Sequence, residues 1–141
     1  MISPIPDFEP LTNKIIACAI EVHKTLGPGL LESVYQECMA VELKSANLDF
    51  ESDRRVPIKY KGQQIRNELK LDLLVGGCVV VELKAVERLH PVYLAQVITY
   101  LKLTGCPAGL LMNFNSVSLK SGLRRLDHPE LYKQKHNSPA L

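Results

Sequence analysis

The chain has 141 residues, 46% hydrophobic and 23% charged, which fits one globular domain with its own core and argues against general disorder. It contains no apolar run of about 18 residues or more, and MISPIPDFEP has neither a basic start nor an apolar stretch, so neither a membrane span nor a signal peptide is expected and the expected location is cytoplasmic. The net charge of +2 hides a segregation: residues 1–53 carry three basic and nine acidic side chains, residues 54–70 carry six basic against Glu68, residues 71–115 balance, and residues 116–141 carry five basic against two acidic. Basic segments thus bracket the middle of the chain, as a positive rim around an acidic site would, although an unevenly charged solvated surface gives the same pattern.

Residues 1–10 hold three prolines and no periodicity, so they read as an extended arm. From Thr12, Ile15, Ile16, Ala19, Ile20 and His23 recur at helical spacing; Thr12 or Asn13 can cap the start, and Gly27-Pro28-Gly29 stops the helix. His23 on that stripe reads as a satisfied core or cap histidine. A second helix is expected from about Leu31 to Ala46, with Leu31, Val34, Cys38, Met39 and Val41 as apolar positions and Glu32 and Gln36 sharing one side of its first turn.

Residues 54–60 read as a strand in which Pro57 suits a sheet edge or a strand start. Lys61-Gly62 turns the chain into a longer strand with Leu69, Leu71 and Leu73 on one face and Lys70 and Asp72 on the other; Gly76-Gly77 turns it again into Cys78–Lys84, completing an antiparallel meander. His90-Pro91 introduces a helix to about Leu103, ended by Gly105 and Pro107. Ala108–Phe114 is a short, unalternating apolar run, which suits a buried strand reached by helical crossover and lying parallel to a neighbour. Residues 117–126 add an edge strand, and residues 127–141 read as a short helix or tail. Cys18, Cys38, Cys78 and Cys106 form no CxxC pair and read as small buried thiols of a reducing compartment, with a disulfide or metal role as the alternative.

The ionisable groups between Lys70 and Tyr100 break the strand pattern. Burying an unpaired charge costs several kcal/mol unless it is paired or binds a metal. Glu82 and Lys84 lie two apart on one strand and so share a face. Whether Asp72 joins them depends on the turn: a two-residue loop at Gly76-Gly77 sets Asp72 against Val81, whereas a three-residue loop or a bulge sets it beside Glu82. Two converging carboxylates would be relieved by a hard divalent ion such as Mg²⁺ or Mn²⁺, with the Leu83 carbonyl as a further ligand and Lys84 placed to hold an attacking water or offset charge on a phosphate. The alternative is an exposed antiparallel face with one cross-strand salt bridge. Gln96 and Tyr100, four apart on a helix, share a face that could hydrogen-bond a phosphate, a base or Lys84, or simply form a polar edge with a packed tyrosine.

As a set these residues resemble the PD-(D/E)xK nuclease superfamily, and within it a small bacterial branch named for a GxxExxY motif. That motif reads here Gly29-Leu30-Leu31-Glu32-Ser33-Val34-Tyr35, followed by Asp72, by Glu82-Leu83-Lys84 as the ExK element, and by Gln96-Val97-Ile98-Thr99-Tyr100, similar to the QxxxY element of RecB-type nucleases. The resemblance implies an α/β restriction-endonuclease-like αβββαβ core whose mixed sheet, a meander plus a crossover strand, lies between helices. It divides the chain into an arm (1–10), a nuclease-like domain (11–126) and a tail (127–141).

The resemblance also implies metal-dependent phosphodiester hydrolysis. Asp72, Glu82, Leu83 and Glu32 would hold Mg²⁺ or Mn²⁺, with Lys84, Glu82, Asp72 and Glu32 as the catalytic set, and Gln96, Tyr100, Tyr35 and Lys70 would contact substrate. Lys70 stands where the branch often has arginine, and a lysine lacks the planar bidentate fork. The implied substrate is nucleic acid, DNA rather than RNA. So short a chain leaves little surface beyond its core, which points to a second copy or a protein partner. The competing expectations are a non-catalytic nucleic-acid- or protein-binding module that keeps the fold, and a metal-dependent phosphatase or nucleotide hydrolase using the same residues in a closed pocket.

Overall fold

The computed structural model describes residues 9–131. In chain order the elements are α1 (Glu9–Leu26), α2 (Glu32–Ser45), β1 (Phe50–Tyr60), β2 (Gln63–Val75), β3 (Val79–Lys84), α3 (Pro91–Thr104), β4 (Ala108–Asn113), a 3₁₀ turn (Leu119–Gly122) and β5 (Leu123–Asp127). The run from α2 to β4 is the expected αβββαβ order. The strands form one sheet in the order β1-β2-β3-β4-β5, in which β3 and β4 are parallel and every other pair is antiparallel. The single parallel pair is the one whose strands are joined by a helix, because a parallel partner needs a crossover long enough to return the chain to the same end.

Helices cover both faces. Ile15, Ala19 and Val22 of α1 and Tyr35, Met39 and Leu43 of α2 pack with Leu73, Val75, Val81, Leu83, Leu110 and Met112. Val97 and Leu101 of α3 pack on the opposite face with Leu71, Val80 and Leu111. Every residue of β4 is buried, which explains its unalternating sequence. Gly109 lets α3 approach: a Cβ there would lie 2.8 Å from Val97 Cγ1.

Several boundaries and faces differ from those read in the sequence. α1 begins at Glu9, so Glu9 and Pro10 belong to a helix and not to an extended arm; Pro10 fits because first-turn N–H groups need no helical acceptor. Residues 1–8 of the expected arm, and residues 132–141 of the expected tail, lie outside the described residues. Thr12 does not cap from outside the helix, its hydroxyl donating back to the Glu9 carbonyl at 3.0 Å. In α2 the buried stripe is Tyr35, Met39 and Leu43, and Leu31 and Val41 are 74% and 63% exposed. Counting the tyrosine as core rotates the stripe away from those two residues. β1 starts at Phe50, four residues earlier than expected, and its place at the sheet edge suits Pro57.

The meander sets the site. Lys61 and Gly62 form the two-residue β1–β2 turn with φ of +50° and +82°, the left-handed pair that tight hairpins require. β2 pairs with β3 only over Leu73–Val75, so the outer part of β1 and β2 stands away from the sheet as a two-stranded ribbon. The expected run of Leu69, Leu71 and Leu73 on one face is broken at that departure, since Leu71 joins the α3 layer while Leu73 joins the α1–α2 layer.

Candidate active site

The β2–β3 loop has three residues, Gly76, Gly77 and Cys78, because Val75 pairs with Val79. Carried past the last ladder pair, Leu73 with Val81, this register sets Asp72 across from Glu82. There the two strands part and side chains take over the hydrogen bonding of the ladder. The Leu83 N–H donates to Asp72 Oδ2 at 2.8 Å, and the Asp72 N–H donates to Glu82 Oε1 at 3.1 Å. The Asp72 carbonyl accepts from Gln36 Nε2 at 3.1 Å. On the other side of β3 the Lys84 carbonyl accepts from the Phe114 N–H at 2.8 Å. Peptide groups alternate along a strand, so the N–H and C=O of Leu83 both face the β2 side, where Asp72 sits.

Burial dominates the electrostatics. Glu82 is 4% exposed, and its pKa is pushed up to about 8, first by burial and then by the Asp72 charge, with the Asp72 N–H and Lys84 opposing. Asp72 is raised by burial, against the Leu83 N–H and the Lys84 charge. Glu32 is raised by burial and then by Asp72, with Lys84 opposing, so the first turn of α2 reaches both groups. Tyr100 is raised by burial and then by Glu82 and Asp72, while a hydrogen bond from Gln96 opposes. Asp72, Glu82 and Lys84 thus meet where β2 and β3 part, with Glu32 of α2 and Tyr100 of α3 near enough to feel the carboxylate charges and Gln96 beside Tyr100. The Lys84 ammonium lies 4.8 Å from the centroid of the Tyr93 ring, which steadies it as a cation on a π face.

A hard divalent ion suits this donor set. The groups facing the gap are oxygens, and the Asp72 charge acting on Glu82, which Lys84 offsets only in part, is one that a bound cation would neutralise. Among the described residues no group of three or more His, Cys, Asp or Glu converges as a metal cluster, so an ion bound here would take few ligands from the protein, with Asp72, Glu82 and the Leu83 carbonyl placed to supply them. That is the sparse protein coordination Mg²⁺ usually takes, leaving positions for water and substrate phosphate.

One of the residues expected at the substrate is placed differently. Tyr35 is fully buried and stacks on Phe114 with ring centroids 4.6 Å apart. Its hydroxyl donates to the Gly27 carbonyl at 2.7 Å and accepts from the Leu30 N–H at 3.1 Å. It ties down the Gly27–Leu30 turn that delivers Glu32, and its burial rules out a direct substrate contact in this conformation. Lys70 is exposed at the base of the ribbon, with Nζ 3.8 Å from Asp53 Oδ1. His23, as expected, is satisfied, its Nε2 lying 2.8 Å from the Ser116 carbonyl. The four cysteines are free, Cys18 and Cys106 buried and Cys38 and Cys78 half-buried.

Three residues escaped sequence reasoning. Gln36 Nε2 bridges Asp53 Oδ1, at 3.0 Å, and the Asp72 carbonyl; its signal was its place one turn after Glu32. Asp53 stands across from Asp72, between the pairs Ser52–Leu73 and Arg54–Leu71, with a φ of +52°. Counting back from the Lys61-Gly62 turn puts it opposite Lys70; the ladder slip between Pro57 and Lys59 moves it two places. Asn113 is buried, accepting from the Val86 N–H at 3.0 Å and donating to the Val86 carbonyl at 2.8 Å, which anchors the chain just after Lys84.

A mixed five-stranded sheet between helices, with paired carboxylates and a lysine where two antiparallel strands part, defines a restriction-endonuclease-like α/β protein. The chain belongs to the PD-(D/E)XK nuclease superfamily, whose family model matches residues 9–126. A search of the curated proteins finds no match. The superfamily usually hydrolyses phosphodiester bonds, generally with divalent metals such as Mg²⁺ or Mn²⁺, and nucleic acid is the implied substrate. No helix among the described residues is long and apolar enough to cross a membrane.

Proposed function

We propose that the chain is a divalent-metal-dependent nuclease of the GxxExxY branch that hydrolyses phosphodiester bonds in DNA. The observation that carries this reading is the pairing of Asp72 and Glu82 in the gap between β2 and β3, each locked by a backbone N–H. Asp72, Glu82 and the Leu83 carbonyl would hold Mg²⁺ or Mn²⁺, with Glu32 supporting it directly or through water. When bound, such an ion supplies Lewis-acid polarisation of a phosphate and lowers the pKa of a bound water. Lys84 positions the attacking water and offsets charge that develops on the phosphate, its ammonium held against Tyr93. Gln96 and Tyr100 donate hydrogen bonds that orient the phosphodiester, and Lys70 adds a point charge at the rim.

The test is cleavage of labelled single- and double-stranded DNA and RNA with Mg²⁺ or Mn²⁺, comparing wild type with Glu82→Ala and Lys84→Ala. Both variants should lose cleavage of DNA. Unchanged activity in both would sink the assignment.

A further inference from the structure

We propose that the groove between the β1–β2 ribbon and the last turn of α3 seats the phosphate backbone of duplex DNA, with Arg54, Lys59 and Lys102 as its cations. The groove has a volume of about 470 Å³, and Val56, Pro57, Leu74, Leu103 and Thr104 complete most of its walls. Among the described residues it holds three basic side chains and no acidic one. All three are exposed. Arg54 pairs with Glu51 at 3.3 Å across the surface, and among the described residues Lys59 and Lys102 have no ion-pair partner. Such a concave, one-signed wall attracts a polyanion and releases its counterions on binding.

The shape of the fold selects the kind of polyanion. Among the described residues no aromatic one lines the groove, whereas proteins that hold single strands combine a basic channel with aromatic platforms for unstacked bases. A duplex keeps its bases stacked inside and offers its phosphates along the outside. The ribbon from Arg54 to Tyr60 extends roughly 20 Å, and a two-stranded ribbon fits the wide major groove of B-form DNA but not the deep, narrow one of A-form RNA. The inference rests on the nuclease reading for its choice of substrate, but its test requires no cleavage.

Binding is measured by fluorescence anisotropy in EDTA with a short labelled DNA duplex, the matching single strand and the matching RNA duplex, over a range of KCl concentrations. Wild type should bind duplex DNA most tightly. The K59E/K102E double variant should lose at least about tenfold in affinity and show a shallower salt dependence, by about two units of slope, while the equally charged K14E/K24E variant on exposed positions of α1 binds as wild type. Circular dichroism confirms that both variants are folded. The proposal is overturned if K59E/K102E binds as wild type, if both double variants lose equally, or if single strand or duplex RNA binds more tightly. Groove-dependent binding by a wild type that cleaves nothing would remove the nuclease reading and leave the groove standing.

Discussion

Without metal, the protein should lose stability as the pH rises from mildly acidic to mildly basic, and Glu82 should be the main cause. Its carboxyl ordinarily titrates at 4.5 but is pushed up to about 8 in the folded state. Between those values the native protein holds a proton that the unfolded chain releases. The stabilising contribution is therefore complete below the unfolded value and disappears as the pH passes the folded one. Asp72 is raised as well and acts in the same direction. At about 1.4 kcal/mol per pH unit the window is worth a few kcal/mol, on the order of ten degrees in Tm for a chain of this size. Urea unfolding followed by circular dichroism from about pH 5 to pH 8.5 in EDTA measures it. Millimolar Mg²⁺ should flatten the slope, because a cation stabilises the deprotonated pair in the place of the proton. E82Q, which keeps an oxygen to accept the Asp72 N–H, should flatten it without metal. A metal-free stability that is flat or rises over this range, or an E82Q slope equal to that of wild type, refutes the reasoning.

Further substitutions separate architecture from chemistry. Tyr35→Phe leaves the Gly27 carbonyl and Leu30 N–H without their shared hydroxyl and should cost about 1–3 kcal/mol in denaturant unfolding. The KM for DNA of the folded Tyr35→Phe fraction should be unchanged, since the ring is buried; a large rise in KM would restore Tyr35 to the substrate contacts. Gln36→Ala frees both Asp53 and the Asp72 carbonyl, and isothermal titration should show Mn²⁺ affinity reduced by about 10- to 100-fold. Asn113→Ala removes both hydrogen bonds to Val86 and should destabilise by about 2–4 kcal/mol, measurable by urea titration.

How far the chain could be read from sequence is clearest at three places. Helix α3 was readable at both ends, because Pro91 tolerates a first-turn position and Gly105 takes the left-handed stop with a φ of +76°. The candidate site was readable up to one ambiguity. Glu82 and Lys84 share a face by alternation alone, but Asp72 joins Glu82 only because Cys78 is a third loop residue, and the glycine pair by itself is compatible with either loop length. The α2 face was misread because a tyrosine hydroxyl counts as polar in the sequence, whereas here both its hydrogen bonds are met by the backbone and the ring is free to stack on Phe114.

The order and type of the elements were determined by the sequence itself, since helical stripes, strand alternation and turn residues are relations among residues a few positions apart. The same local rules named Asp72, Glu82 and Lys84 as out of place in an ordinary strand pattern, whereas Glu32, Gln96 and Tyr100 were singled out by the family resemblance. Only the tertiary structure decided that these groups meet, because convergence depends on where β2 leaves β3 and on which side of α2 faces the sheet. It also decided that Asp53 stands opposite Asp72 and that the ribbon and α3 enclose a basic groove. Those are consequences of a ladder slip and of packing between elements distant in sequence, which no short-range spacing encodes.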